Sequence, residues 1–167
     1  MTPVVRLLGP ADAGLYAQLR SEMLIDSPAS FSSSPGEARG ETREQVIEAL
    51  SSDGHEIAGV FVDDDLVSVA GIFRERRAKQ HHRAFVYGVY TTPGARGRGH
   101  GRAVMECVLE AARAMVGVEV VGIGVSTNGP GALRLYESLG FVQWGLEPDS
   151  MRVDGVSYGE VYLSLVL

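Results

Sequence analysis

The sequence predicts a single α/β domain over residues 1–167, built on a mixed, mostly antiparallel central sheet with flanking helices. Three observations predict it. Some stretches place apolar residues at helical spacing, short β-rich runs bounded by turn residues follow one another between them, and neither an internal repeat nor a linker divides the chain. A length of 167 residues, 45% of them hydrophobic and 22% charged, suffices to bury one sizeable core.

Leu15, Leu19, Met23 and Leu24 set a first helix over 11–25, which Pro28 ends. Ser27 to Gly40 carries five serines, two prolines and two glycines and reads as a loop. Thr42 with Gln45 three residues on offers a capping box for a second helix over 43–52. From Glu56 the pattern turns to strands, Ile57 to Val62 and Leu66 to Phe73, with Asp63, Asp64 and Asp65 turning the chain between them. A third run, Ala84 to Thr91, stops at Pro93-Gly94. Ala103, Val104, Cys107, Val108, Ala111, Ala112 and Met115 then mark one face of a third helix that begins where the glycines end. Val118 to Val125 is a nearly continuous apolar run suited to a strand buried on both faces. After the breaker cluster Asn128 to Gly131, a short helix runs from Ala132 to Leu139 and Gly140 terminates it. Asp154-Gly155 is a hairpin turn, and alternation from Val161 to Leu167 makes the last segment a strand.

The net charge of −6 argues against nucleic acid as a partner, since no broad basic surface is available. Eight of the fifteen Lys and Arg nevertheless fall between Arg74 and Arg102, against the single acid Glu75. A local cationic site in an acidic chain suits a small polyanion; a solvated Arg-rich hairpin tip explains residues 74–83 equally well. No apolar run reaches the roughly 18 residues of a membrane span, and the start lacks the layout of a secretory signal, so the expectation is a cytoplasmic protein without a membrane partner. Cys107 is the sole cysteine and reads as core filling, and no metal site is expected.

The chemistry concentrates in Val86 to Arg102, a strand, a glycine-rich turn and a helix start. A helix start leaves backbone N–H groups unpaired, and alternate glycines at 97, 99 and 101 let an anion approach them, phosphate being the natural guest. A Gly-Lys-Ser or Gly-Lys-Thr ending is missing, which argues against a nucleoside triphosphate loop, and the G-x-G-x-x-G spacing of dinucleotide folds is missing too.

Arg96-x-x-Gly99-x-Gly101, preceded by Tyr90-Thr91-x-Pro93, resembles the coenzyme A signature of the GNAT N-acetyltransferase family. Asn128, Ala132, Leu135-Tyr136 and Gly140-Phe141 resemble that family's second block. The resemblance implies acetyl-CoA as co-substrate and direct transfer of its acetyl group to a primary amine on a small molecule or a peptide terminus. It further implies that Arg96, Gly97, Arg98, Gly99, His100, Gly101 and Arg102 hold the pyrophosphate through their N–H groups. Val89, Tyr90 and Thr91 would pair with the pantetheine arm, the Val89 N–H facing the acetyl carbonyl as an oxyanion donor. Tyr136 would lie near sulfur and return a proton to the departing thiolate, and Asn128 would orient the pantetheine. Asn128 stands four residues before Ala132, where the family usually has three.

The base that relieves the amine of its proton is not marked. His81, His82, Glu75, Tyr87 and Glu160 are candidates, with Glu160 and His82 ranked first. Acceptor pockets in this family are implied to form from the first two helices and their loop and from the last hairpin, around Met151 to Glu160. A noncatalytic acyl-CoA sensor and a protein-interaction domain are the rival readings. Edge strands or exposed helix faces could pair two copies in a homodimer.

Overall fold

The structure, a computed structural model, describes residues 2–167. Strand β1 (Val4–Leu7) leads into helix α1 (Ala13–Asp26) and, after the serine-rich loop, α2 (Arg43–Leu50). The hairpin β2 (His55–Val62) and β3 (Asp65–Arg74) follows, then β4 (Arg83–Thr91) and α3 (His100–Ala114). The remainder is β5 (Val120–Ser126), α4 (Pro130–Ser138), β6 (Val142–Val153) and β7 (Val156–Val166). All seven strands form one sheet in the order β1-β2-β3-β4-β5-β7-β6, and every neighbouring pair is antiparallel except β4 with β5. The mixed, mostly antiparallel architecture is therefore as the sequence predicts.

Local chemistry explains the joints. The β2–β3 turn consists of Asp63 and Asp64 at φ 54° and 70°, and the β6–β7 turn of Asp154 and Gly155 at φ 50° and 79°. Two consecutive left-handed residues match the twist of the strands they join, and Asp and Gly are among the residues that tolerate this conformation. At the start of α2, Thr42 Oγ1 accepts from the Gln45 N–H at 3.3 Å, while Gln45 Oε1 reaches back past Thr42 to the Gly40 N–H at 3.0 Å. Pro130 opens α4 at the first helical position, where a missing N–H costs nothing. That helix thus begins two residues before the predicted Ala132.

The sheet separates two apolar layers. Ala58, Val60, Ala70 and Ile72 face α3, and Ile57 and Val69 face α1 and α2, as strand alternation requires. The buried stripe of α3 is turned slightly from the predicted one. Val104, Met105, Val108, Leu109 and Ala112 are buried, whereas Ala103, Cys107 and Met115 lie at the margin, so the larger side chains take the sheet. Strand β1 is absent from the sequence reading. Its four residues are all exposed and carry no alternation of burial, so only pairing with β2 defines it. Among the described residues no helix is long and apolar enough to cross a membrane.

Candidate active site

Where β4 leaves its neighbours, the sheet opens. The parallel ladder between β4 and β5 ends at Val86 with Ile123. On the other side, the β3–β4 register jumps from Val69 opposite Tyr90 to Gly71 opposite Tyr87. Gly88 and Val89 are thus paired with neither neighbour. Gly88 sits at φ +59°, a conformation that glycine adopts without strain, and the extra residue bends β4 as a bulge does. The result is a wedge between β4 and β5 that forms the floor of a cleft of about 570 Å³.

At the end of β4 the chain turns into α3. Gly97 and Gly99 adopt φ +74° and +83°, and Gly99 caps the helix by accepting the Ala103 N–H at 3.0 Å. The N–H groups of His100, Gly101 and Arg102 then have no intrahelical acceptor, the geometry that binds anions. Gly101 needs no special conformation; a Cβ there would meet Leu135 at an ordinary 3.5 Å. Arg98 is exposed, and the His100 ring is buried beneath the turn.

The other cations are spoken for. Arg96 donates to the Thr91 carbonyl at 2.9 Å and to Asp26 at 2.5 Å, and it lies over the Tyr90 ring, 5.5 Å from its centroid. The Tyr90 hydroxyl is 3.0 Å from both Glu22 and Asp26. Arg96 and Tyr90 therefore pin the turn to the last helical turn of α1, and the Arg96 guanidinium holds the Asp26 carboxyl below its usual range. Arg102 donates to Ser138 Oγ at 2.7 Å and so ties α3 to α4.

Tyr136, on α4, is buried against Phe141, and its hydroxyl borders the cleft with no hydrogen-bond partner among the described residues. Burial pushes this phenol above the ordinary tyrosine range, so it keeps its proton. Asn128 is exposed at the cleft edge, its N–H donating to Ser126 Oγ at 3.2 Å. Across the wedge Glu160 projects from β7 over Gly124 of β5, where an added Cβ would stand 2.3 Å from Glu160 Oε1. The absent side chain makes room for the carboxylate. Its other oxygen accepts from Ser150 at 3.0 Å and lies 3.1 Å from the Tyr162 hydroxyl. Tyr162 is also 2.8 Å from Glu147, which with its second carboxylate neighbour pushes the phenol up to about 12.

The sequence-predicted set is brought together in part. Val89, Tyr90, Thr91, Arg96, Asn128, Tyr136 and Glu160 line the cleft, and Gly97 to Arg102 form the turn beside it. His82 does not reach it. It precedes β4, seven residues from Val89, which an extended strand converts to roughly 23 Å at about 3.3 Å per residue. The same separation removes the basic connection 74–83 from the turn: Arg74 binds Asp53 at 2.6 Å, and Arg83 lies over Phe85. Tyr87 borders the cleft, but its hydroxyl is engaged by His55 Nε2 at 2.5 Å.

One group at the cleft was not singled out from sequence. Arg20 of α1 is only 9% exposed, lies against Gly88 and borders the cleft beside the serine-rich loop. The signal was present: a lone cation in the apolar stripe of Tyr16, Leu19, Met23 and Leu24.

The profile of the acetyltransferase (GNAT) family matches residues 18–141. The N-alpha-acetyltransferase RimI of Mycobacterium tuberculosis is 32% identical over 152 residues, which cover 87% of this chain and 82% of that protein. An uncharacterized protein of Mycobacterium leprae is 32% identical over 87% of this chain, and the chain spans only 36% of that protein's length. A GNAT-family acetyltransferase from Streptococcus pneumoniae superposes with a TM-score of 0.88 at 17% identity, covering 99% of both chains. The structure of yncA from Salmonella typhimurium, with its cofactor acetyl-CoA, gives 0.87 at 19% identity and covers 100% of this chain and 95% of that one. At these identities the two structures share the fold.

Proposed function

The chain belongs to the acetyltransferase (GNAT) family, and from that premise we propose that it is an N-acetyltransferase that passes the acetyl group of acetyl-CoA directly to a primary amine in a ternary complex, the amine belonging to a small molecule or a protein amino terminus. The observation that carries the reading is the wedge. Gly88 and Val89 fall outside the register of both neighbouring strands, and the same chain segment runs on to the free N–H groups at the start of α3. An extended arm lying in the opened sheet, with a pyrophosphate at the helix start, fits that arrangement. The acetyl-CoA complex of the similarly folded yncA supports it.

Acetyl-CoA, when bound, supplies an activated acetyl thioester. The chain supplies the rest. The turn Gly97 to Arg102 receives the pyrophosphate on backbone N–H groups, and Val89 to Thr91 line the arm. The Val89 N–H points its partial positive charge at the acetyl oxygen, where negative charge develops during attack. Glu160, held by Ser150 and Tyr162, accepts the amine proton directly or through water. Tyr136 offers its O–H to the departing sulfur, a part suited to a phenol that keeps its proton. Asn128 borders the same arm.

Titration calorimetry with acetyl-CoA, followed by thiol release over a panel of amines, tests the reading. Binding with amine-dependent thiol release is expected. Absence of binding ends the proposal, and binding without release from any amine favours an acyl-CoA sensor instead.

A further inference from the structure

Arg20 is a buried cation without an anion. Its Nε is fully enclosed and has no hydrogen-bond partner, and its Nη1 meets only the weak acceptor Met23 Sδ, at 3.2 Å. No carboxylate lies within ion-pair distance of it among the described residues. Aromatic groups stand around it: the Phe31 ring, 5.9 Å from the guanidinium carbon, and the phenols of Tyr16 and Tyr87. Arg6 has Asp12 and Arg96 has Asp26, although both are far more exposed. Arg83 shares an enclosed, unpartnered Nε but lies far from the cleft, over Phe85, whereas Arg20 borders the cleft. A buried guanidinium is costly to leave unpaired, and a fold that keeps one facing a cleft keeps it for a ligand.

From this geometry we propose that the acceptor carries a carboxylate close to its amine, as an amino acid does, and that Arg20 is the group that receives it. The inference rests on the transferase reading and names its substrate class. Two positions argue for it. Arg20 Nη1 stands 3.5 Å from where a Cβ of Gly88 would lie, and Gly88 is the residue next to Val89. Arg20 therefore stands against the residue that precedes the proposed oxyanion donor. On the opposite side of the wedge stands Glu160, so the cleft offers a cation to one end of the acceptor and a carboxylate to the other. That arrangement complements a zwitterion. Ser30, Ser32 and Ser33 border the Arg20 end and supply hydroxyl donors to a carboxylate that Arg20 orients in fork geometry. The reaction stays balanced: the acceptor ammonium gives up one proton to become the attacking amine and a second as the N–C bond forms. The C–S bond breaks with its electron pair on sulfur, which takes up a proton to leave as the thiol, the other proton passes through Glu160 to solvent, and Arg20 changes neither charge nor bonding.

The experiment compares wild-type turnover on free amino acids, on their α-carboxamides, and on short peptides whose first residue is acidic or neutral. A preference on the order of 100-fold in kcat/KM for free amino acids over carboxamides is expected, because the amide leaves the guanidinium unpaired. In Arg20→Met, which fills similar space without the charge, that ratio should collapse towards one, mainly through KM. A peptide with an acidic first residue that outperforms both neutral peptides and free amino acids assigns the carboxylate to a side chain and keeps Arg20 as its receptor. Equal rates on acid and amide in the wild type overturn the inference without any variant, and leave the transferase reading standing. No thiol release from any amine takes both down.

Discussion

Gly124→Ala places a methyl group where Glu160 now rests. The added Cβ would lie 2.3 Å from Oε1, 3.1 Å from Cδ and 3.4 Å from Cγ. Ordinary carbon–oxygen contact needs roughly 1 Å more at the first of these, so the carboxylate must swing away while its stem moves little. Because the moving group is the end of a flexible side chain, the fold itself should tolerate the change, with a melting temperature within about 2 °C of wild type. The chemistry should not tolerate it. A displacement of about 1 Å in a group that receives a proton costs up to about 100-fold in rate, or about 2.7 kcal/mol of barrier. The assay is steady-state thiol release with the best amine found, alongside calorimetry with acetyl-CoA. We expect kcat/KM to fall 10- to 100-fold, about 1.4–2.7 kcal/mol, with coenzyme affinity unchanged. Glu160→Gln should lose more, since it keeps the shape and removes the base. If Gly124→Ala and Glu160→Gln both turn over at the wild-type rate, Glu160 is not the base. If only Glu160→Gln is impaired, the close approach to Gly124 does not position it.

Three other outcomes follow from the geometry. Tyr136→Phe should lower kcat about 100-fold with little effect on coenzyme affinity; since burial raises this phenol, wild-type activity should show no loss from its ionisation below about pH 10, and a descending limb near pH 8 that disappears in the variant would contradict the assignment. Gly99→Ala must hold φ +83° against an added Cβ, costing about 1–2 kcal/mol and about 2–8 °C in melting temperature, and Gly99→Glu should in addition weaken acetyl-CoA binding at least tenfold by calorimetry. Asp12, which accepts from Arg6 at 2.6 and 2.8 Å and from the Gly9 N–H at 2.8 Å, has its carboxyl held below the ordinary value of 3.8. Its contribution is complete above that value and lost as pH falls through the lower folded one, so Asp12→Asn should cost about 1 kcal/mol at pH 7 in urea denaturation and progressively less below pH 3.8. A gap that stays constant down to pH 2 would refute the pairing.

The glycine-rich turn was legible because its geometry is local. Gly97 and Gly99 lie in the left-handed region and α3 starts where the glycines indicate, all within a few residues of sequence. The Asp154-Gly155 turn was readable for the same reason. What escaped depends on pairing or on distance through the fold. The wedge is a matter of register, set by the extra residue at Gly88 and by where the β4–β5 ladder stops, and a run of apolar residues from Ala84 to Thr91 reads the same with or without it. The eight clustered cations are near in sequence, yet β4 is extended and separates Arg83, at its start, from Arg96, in the turn beyond its other end. Glu160 could be nominated but not ranked above His82 until β7 was seen beside β5. Arg20 went unnoticed because a single arginine in an apolar stripe ordinarily extends its head to water, and here Phe31 and the serine-rich loop enclose it.

The wedge also bears on how the protein survives without its ligand. A continuous sheet exposes two edges, β1 and β6 here; one that parts in the middle exposes two more, along Gly88–Val89 and the end of β5. Unpaired strand edges are templates for association with another chain. An extended molecule laid between β4 and β5 would close both inner edges at once and act as a temporary strand. By mass action it would also raise the melting temperature in proportion to the logarithm of its concentration. The ligand-free protein should accordingly be the form prone to aggregate on mild heating, and acetyl-CoA in the buffer should suppress that aggregation even when no acceptor is present.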